Sequence, residues 1–139
     1  MTGHEASALP VCVVVDVANV MGSRPDGWWK DRAAAAARLL GDMAGLVGQV
    51  VAGPDEKIVR IERIVAVVEG AAKTVVAPEG IDLVRAPADG DTSIAAAAQA
   101  QVDAGARLLV VTADRGLRAR LPAPALIAGP GWLNALLGR

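Results

Sequence analysis

The chain has 139 residues and a formal net charge of −1 at pH 7, and 53% of its residues are hydrophobic. This length supports one domain with a substantial core but hardly two, and the apolar content excludes a chain that stays disordered for want of burial. The small net charge and the isoelectric point of 5.8 exclude a global positive field that would draw nucleic acid, so any such binding must use a local patch.

The chain has one cysteine and one histidine, Cys12 and His4, and this excludes several kinds of site. One cysteine forms no disulfide within the chain, and the two residues alone cannot supply a zinc ligand set. A Ser–His–Asp triad would depend on His4, which lies in residues 1–9, a segment that we expect to be a flexible tail. Neither a P-loop nor a G-x-G-x-x-G turn is present. Without a signal peptide or a long apolar run, we expect a cytoplasmic protein that does not contact a membrane.

The first half of the chain predicts one strand and one long helix. Residues 11–15 are a continuous β-branched and apolar run, which is typical of a strand buried on both faces of a parallel sheet. Residues 22–27 are rich in turn residues. Alanine and leucine then favour a helix over residues 31–51, with Asp31 in its first turn, and Gly53-Pro54-Asp55 breaks it.

The second half alternates short apolar runs with helical patterns. We predict strands over 63–68, 81–85, 108–111 and 125–128, and helices from residue 91 onward, over 115–120 and over 132–137. Asp89 or Asp91 would cap the helix that begins near residue 91. Because strands and helices alternate with no hairpin signal, we expect an α/β fold: residues 1–139 form a single three-layer α/β/α domain around a central, mostly parallel sheet.

Three aspartates stand where this architecture puts functional sites. Asp16 and Asp114 follow buried strands, and Asp91 lies in the first turn of a helix that follows a strand. Open α/β sheets bind ligands beyond the carboxyl ends of their strands. Each aspartate could instead be an ordinary cap or turn residue. Three converging carboxylates would repel one another unless a cation lay between them, and oxygen ligands suit Mg²⁺ or Mn²⁺, which could activate water and stabilise a phosphoryl transition state. Asp16, Asp91 and Asp114 are therefore the candidate catalytic residues and metal ligands.

Aromatic and basic residues follow the first loop. Trp28 and Trp29 stand beside Lys30 and Arg32, and aromatic stacking with cations is a common way to hold single-stranded RNA. Trp28, Lys30 and Arg32 are thus candidate substrate-binding residues. Alternatively, one tryptophan anchors the loop and the other forms a subunit contact, which leaves a homodimer open.

Three arginines follow Asp114. Arg115 is close enough in sequence to reach a phosphate bound near a metal and is a candidate substrate-binding residue. We interpret Arg118 and Arg120 as part of a solvated helix face.

Taken in order, the acid motifs resemble those of PIN-like ribonuclease domains, in particular the NYN branch. VVVDVANV resembles the first-strand motif D-G-x-N and maps Asp16 and Asn19 onto its metal-ligand acid and its asparagine. DTSIAAAA resembles the helix start D-x-x-I-A-A and maps Asp91. VVTADRGL resembles the strand ending T-x-D-x-x-[LF] and maps Thr112 and Asp114.

A fourth motif adds another acid. VAVVEG resembles the NYN strand ending V-V-F-D-G and offers Glu69 as a further metal ligand, with Asn19, Thr112 and Asp89 in supporting positions. The sequence departs from the pattern twice, with Val17 in place of glycine and glutamate in place of aspartate at Glu69. If either departure disables metal binding, the domain would be a binding module.

The resemblance implies a ribonuclease that uses Mg²⁺ or Mn²⁺ to hydrolyse the phosphodiester bonds of RNA. Two other functions stay open: a catalytically inactive PIN-like module that binds RNA or oligomerises, and a phosphohydrolase of small nucleotides, which the acid cluster would also suit.

Overall fold

A computed structural model describes residues 8–139 and contains a central sheet of six strands. The strands are β1 (Leu9–Asp16), β2 (Val50–Ala52), β3 (Ile58–Val68), β4 (Ile81–Arg85), β5 (Leu108–Val111) and β6 (Leu126–Ala128). Their order is β2-β3-β1-β5-β6, with β4 paired to the same edge of β3 as β2. All pairs are parallel except β2 with β3. Of the predicted tail, residues 1–7 lie outside the described residues, and Leu9 already belongs to β1.

Helices cover both faces of the sheet and complete the expected three-layer α/β/α arrangement. They are α1 (Val17–Gly22), α2 (Arg32–Ala44), α3 (Gly90–Asp103), α4 (Arg115–Arg118) and α5 (Pro130–Leu136), with short 3-10 helices at Trp28–Lys30 and Gly70–Thr74. Buried residues of α1, α2 and α5 form the core on one face, and those of α3 and α4 form the core on the other. No helix in residues 8–139 has the length and apolar character needed to cross a membrane.

The apolar run of β1 explains why this strand is central. Val11, Val13 and Val15 belong to the core on one face, whereas Cys12 and Val14 belong to the core on the other. Because successive side chains of a strand point to opposite faces, an uninterrupted apolar run is stable only between two helical layers. Asp16 ends this run and remains buried.

The predicted helix over residues 31–51 was too long, and a hairpin that the sequence did not signal takes its place. Asp31 caps α2 by accepting a hydrogen bond from the Ala34 N–H, and α2 ends at Ala44. Gly48 then adopts a positive φ of 87°, and its N–H donates to the Ile61 carbonyl of β3. Glycine and valine dominate residues 45–52 and favour a helix poorly, so residues 50–52 pair with β3 as the antiparallel strand β2 and residues 53–57 become the hairpin turn.

The strand order puts β1 at the point where the chain changes direction across the sheet. From β1 the chain builds β3 and its neighbours on one side, then returns to build β5 and β6 on the other. The carboxyl ends of β1, β3 and β5 therefore lie side by side at one edge of the sheet, where open α/β folds bind their ligands.

Candidate active site

Asp16 lies at the centre of the site and is held by its neighbours. The residue ends β1 and caps α1, and only 6% of its surface is exposed. Its Oδ1 accepts from the Asn19 N–H at 3.3 Å, and its Oδ2 accepts from the Thr112 hydroxyl at 3.1 Å. Burial raises the pKa of Asp16 above its usual value; these two hydrogen bonds lower it, and the charges of Glu69 and Asp91 raise it again.

A chain of hydrogen bonds joins the end of β1 to the loop after β5. The Asp114 N–H donates to the Thr112 hydroxyl oxygen at 3.1 Å, and that hydroxyl donates in turn to Asp16. The side-chain oxygen of Asn19 accepts from the Ala113 N–H at 2.9 Å. Asn19 and Thr112, two of the three predicted supporting residues, thus fix the loop that carries Asp114, and Thr112 is fully buried.

Asp114 caps the short helix α4. Its Oδ1 accepts from the Leu117 N–H at 3.0 Å, so the cap role that any aspartate could fill here is real. The second carboxylate oxygen has no hydrogen-bond partner among residues 8–139. A cap and a ligand role are therefore compatible in the same side chain.

Glu69 reaches the site from the end of β3. It follows Val68 directly, and its carboxylate lies against the first residue of α3, Gly90. A Cβ built on Gly90 would overlap Glu69 Oε2 and would lie 3.1 Å from Cδ. A larger residue at Gly90 would therefore require the Glu69 carboxylate to move, so the glycine permits the position that Glu69 occupies.

Asp89 and Asp91 have different roles at the start of α3. Asp89 is the cap, because its Oδ1 accepts from the Thr92 N–H at 2.8 Å, and this bond holds the pKa of Asp89 below its usual value. Asp91 lies in the first turn and is partly exposed. Partial burial, followed by the charges of Asp114 and Asp89, raises the pKa of Asp91, whereas the charge of Arg120 acts in the opposite direction.

Asp16 thus feels the charges of Glu69 and Asp91, and Asp91 feels those of Asp114 and Glu69. None of these four carboxylates forms an ion pair within residues 8–139. The two ion pairs found in residues 8–139, Arg63 with Asp82 and Arg139 with Asp26, lie elsewhere. A set of carboxylate, hydroxyl and amide oxygens fits a hard divalent cation by its chemistry. Within the same residues, however, no three Asp, Glu, His or Cys side chains are close enough to hold an ion together. Binding would therefore require bridging waters or a rotation of side chains.

The valine that replaces glycine in the first motif does not intrude on the acids. Val17 is fully buried in the core that α1 shares with α2 and α5. Its side chain is therefore occupied by packing, and the Asp16 carboxylate keeps its own contacts.

A groove beside Glu69 contains two of the predicted substrate-binding residues. The groove has a volume of about 330 Å³, and Trp28, Arg32 and Glu69 line it together with Ala18, Met21, Gly70 and Ala72. The Arg32 guanidinium lies over the Trp28 ring, 5.3 Å from its centroid. Trp28 also packs edge-on against Trp29, which is 52% exposed, so Trp28 is the tryptophan that anchors the loop. Lys30 is exposed at the end of the same 3-10 helix.

The three arginines after Asp114 are all exposed, and one of them makes a contact that the sequence did not reveal. Arg115 and Arg118 are exposed and form no side-chain hydrogen bond within residues 8–139. Arg120, which the sequence suggested to be part of a solvated face, donates from its guanidinium to the Thr92 hydroxyl at 3.2 Å and so lies beside the start of α3. Sequence spacing could not reveal this contact because it joins residues 28 positions apart.

The fold is shared with proteins of known structure. Two crystal structures of Rae1 (YacP) from Bacillus subtilis, one of them of a single-substitution mutant, superpose with TM-scores of 0.65 and 0.64. They share 19% and 18% sequence identity with this chain, cover 91% and 92% of it, and match over 73% and 75% of their own length. No protein-family model and no curated protein sequence matches this chain. At this level of identity, the likeness shows the fold alone.

Proposed function

We propose that this chain is a metal-dependent ribonuclease that hydrolyses the phosphodiester bonds of RNA. The observation that carries the proposal is the buried Asp16 carboxylate at the carboxyl edge of the sheet, which forms no ion pair within residues 8–139 and lies within the electrostatic reach of Glu69 and Asp91. A fold that keeps like charges together without cations gives up stability, and such clusters are typical of functional sites.

In this proposal, Asp16, Asp91, Asp114 and Glu69 hold Mg²⁺ or Mn²⁺. The bound cation would supply charge stabilisation of the phosphoryl transition state and a more acidic attacking water. Thr112 and Asn19 act as positioning residues, because they fix the Asp16 carboxylate and the loop of Asp114.

The substrate would enter along the groove next to Glu69. Arg32 already stacks on Trp28 there, so the groove combines an aromatic wall with a cation at one end of the acid cluster. Such a surface binds the backbone and bases of a single strand without a requirement for sequence. Lys30 and Arg115 would add phosphate contacts from exposed positions.

The motif resemblance supports the nuclease class, because the four motifs resemble those of PIN-like ribonucleases in the order in which they occur along the chain. The likeness to Rae1 supports the α/β fold that this resemblance implies. RNA as the partner and Mg²⁺ or Mn²⁺ as the cofactor belong to the proposal, and a homodimer and a cytoplasmic location stay predictions.

Cleavage of labelled single-stranded RNA in the presence of Mn²⁺ tests the proposal. We expect cleavage by the wild-type protein, loss of cleavage in EDTA and a loss of at least about 100-fold in Asp16→Asn. Asp42→Asn is the matched control, because Asp42 is an exposed aspartate on α2 that the proposal does not use. Wild-type inactivity on varied RNAs with Mn²⁺ would contradict the enzyme.

One observation favours a second candidate, an RNA-binding module without catalysis. Within residues 8–139, no three metal-ligating side chains are close enough to hold an ion together. If this spacing persists in solution, the protein would bind RNA in the groove of Trp28 and Arg32 and would show no thermal stabilisation by Mn²⁺. RNA binding without cleavage and without a metal-dependent shift would identify this function.

A further inference from the structure

Arg120 lies at the rim of the acid cluster, and within residues 8–139 its guanidinium makes a single hydrogen bond. Its guanidinium donates to the Thr92 hydroxyl, and Thr92 is held in turn by Asp89, through its N–H at 2.8 Å and its hydroxyl at 3.3 Å. A guanidinium has five N–H donors. One contact orients the group, and the others are available to a ligand.

The position of Arg120 is not that of an ion-pair partner. Its charge is felt by Asp91 and Asp89, yet it forms an ion pair with neither carboxylate. The residue is exposed. The Arg120 guanidinium therefore lies beside the acids and open to solvent, without forming an ion pair with them.

An anion that approaches the acids needs such a group. A phosphodiester carries a negative charge and would be repelled by the carboxylates unless a nearby donor compensated for them. The planar guanidinium of arginine can donate to two phosphate oxygens at once, and because it is weakly hydrated it readily exchanges its water for a phosphate. We propose that Arg120 binds a backbone phosphate of RNA next to the acid cluster and thereby positions the strand for cleavage. This inference rests on the proposed function for its substrate.

The chain offers a matched control on the same segment. Arg118 is exposed, precedes Arg120 by two positions and has no side-chain hydrogen bond within the described part of the chain. Arg118→Ala removes the same charge from the surface as Arg120→Ala. A difference between the two variants therefore reports position and not net charge.

The salt dependence of RNA binding without metal is the direct measurement. Fluorescence anisotropy of a labelled single-stranded RNA, recorded in EDTA from about 50 to 200 mM salt, gives the slope of log K against log salt. We expect Arg120→Ala to weaken binding and to reduce the steepness of this slope by about 0.7, the contribution of one phosphate contact on a single strand. Arg118→Ala should leave the slope unchanged, and Arg120→Lys should retain most of it, because a point charge still releases a counterion.

Three results would overturn the inference: equal slopes for wild type and Arg120→Ala, equal losses for Arg120→Ala and Arg118→Ala, or no binding of RNA by the wild type. An unchanged slope together with tighter Mn²⁺ binding in Arg120→Ala would show that Arg120 only compensates the acids. Because the binding assay contains no metal and needs no cleavage, its result does not depend on whether the protein is a ribonuclease. A reduced slope in Arg120→Ala without RNA cleavage by the wild type would support the phosphate contact and contradict the proposed ribonuclease. Cleavage by the wild type with equal slopes would support the ribonuclease and contradict the phosphate contact.

Discussion

Replacing Asp16 with asparagine should separate what the site needs for stability from what it needs for function. The substitution keeps the shape of the side chain and removes its charge. In the structure, Asp16 is 6% exposed and feels the charges of Glu69 and Asp91. Because no cation pairs with it among residues 8–139, the metal-free protein carries this charge at a cost in stability.

The contacts of Asp16 set the size of the effect. An asparagine can still accept from the Asn19 N–H, but its amide NH₂ would face Thr112, and the exchange of this bond costs about 1 kcal/mol. Removing the buried negative charge from its like-charged neighbours should increase the free energy of unfolding by about 1–3 kcal/mol. We therefore expect Asp16→Asn to unfold in EDTA at the wild-type Tm or up to roughly 8 °C above it.

Metal should reverse this order. At a Mn²⁺ concentration 100 times its Kd, the wild type gains about 2.7 kcal/mol, which is roughly 10 °C for a domain of this size. Asp16→Asn should gain little, so the less stable protein in EDTA becomes the more stable one in Mn²⁺. Differential scanning fluorimetry in both buffers measures the four Tm values, with Asp42→Asn as control. Equal Mn²⁺ shifts in both proteins, or a loss of more than about 2 kcal/mol by the variant in EDTA, would refute the reasoning.

Three further perturbations test other parts of the structure. Gly90→Ala should displace the carboxylate of Glu69 and reduce kcat/KM for RNA cleavage at least about tenfold. The control is Gly41→Ala, whose Cβ would contact no other atom. It should leave cleavage unchanged and add about 0.5–1 kcal/mol to the free energy of unfolding. Thr112→Val should lose about 2–3 kcal/mol in urea unfolding, since two buried hydrogen bonds lose their shared hydroxyl, and Thr112→Ser should restore most of it; full stability of the valine variant would contradict the network. Burial raises the pKa of Cys12 from 9.0 to about 11, so at pH 8 the folded protein should react with a thiol reagent about 100-fold more slowly than the unfolded protein. The stability that this raised pKa contributes is complete below pH 9 and is lost as the pH rises through about 11, which urea unfolding across this range would measure; equal thiol reactivity of both states would show that the residue is accessible.

The sheet could be predicted from the sequence because its strands are marked by composition. The predicted bounds 81–85 and 108–111 agree with β4 and β5, since these short apolar runs lie between clear turn signals. The expected parallel order is confirmed for every pair except β2 with β3. That hairpin was missed because Gly53-Pro54-Asp55 was interpreted only as the end of a long helix. Val50 and Val51 are poor helix formers and instead pair with Arg60 and Val59 of β3.

The site was predictable only in part. The strand ends predicted that Asp16 and Asp114 lie at one edge of the sheet, because the carboxyl ends of parallel strands meet there. Glu69 was suggested only by the motif resemblance. The sequence could not decide whether Asp89 or Asp91 caps α3, because the choice depends on the backbone conformation at the start of the helix. The contact of Arg120 with Thr92 depends on how α4 packs near α3, and no local pattern contains that information.

The hydrogen bond between Thr112 and Asp16 joins residues 96 positions apart. During synthesis, β1 emerges early and Asp16 can accept from the nearby Asn19 N–H, but the Thr112 hydroxyl reaches it only after the chain has grown past residue 112 and β5 has been inserted beside β1. Contacts of such high sequence separation form late in folding, because the intervening chain must be closed first. A nascent or truncated chain that ends before Leu108 would carry Asp16, Glu69 and Asp91 without the strand that aligns them. Any function that depends on the aligned acids would thus appear only after nearly the whole domain has been synthesised, so the chain is made before its site is complete.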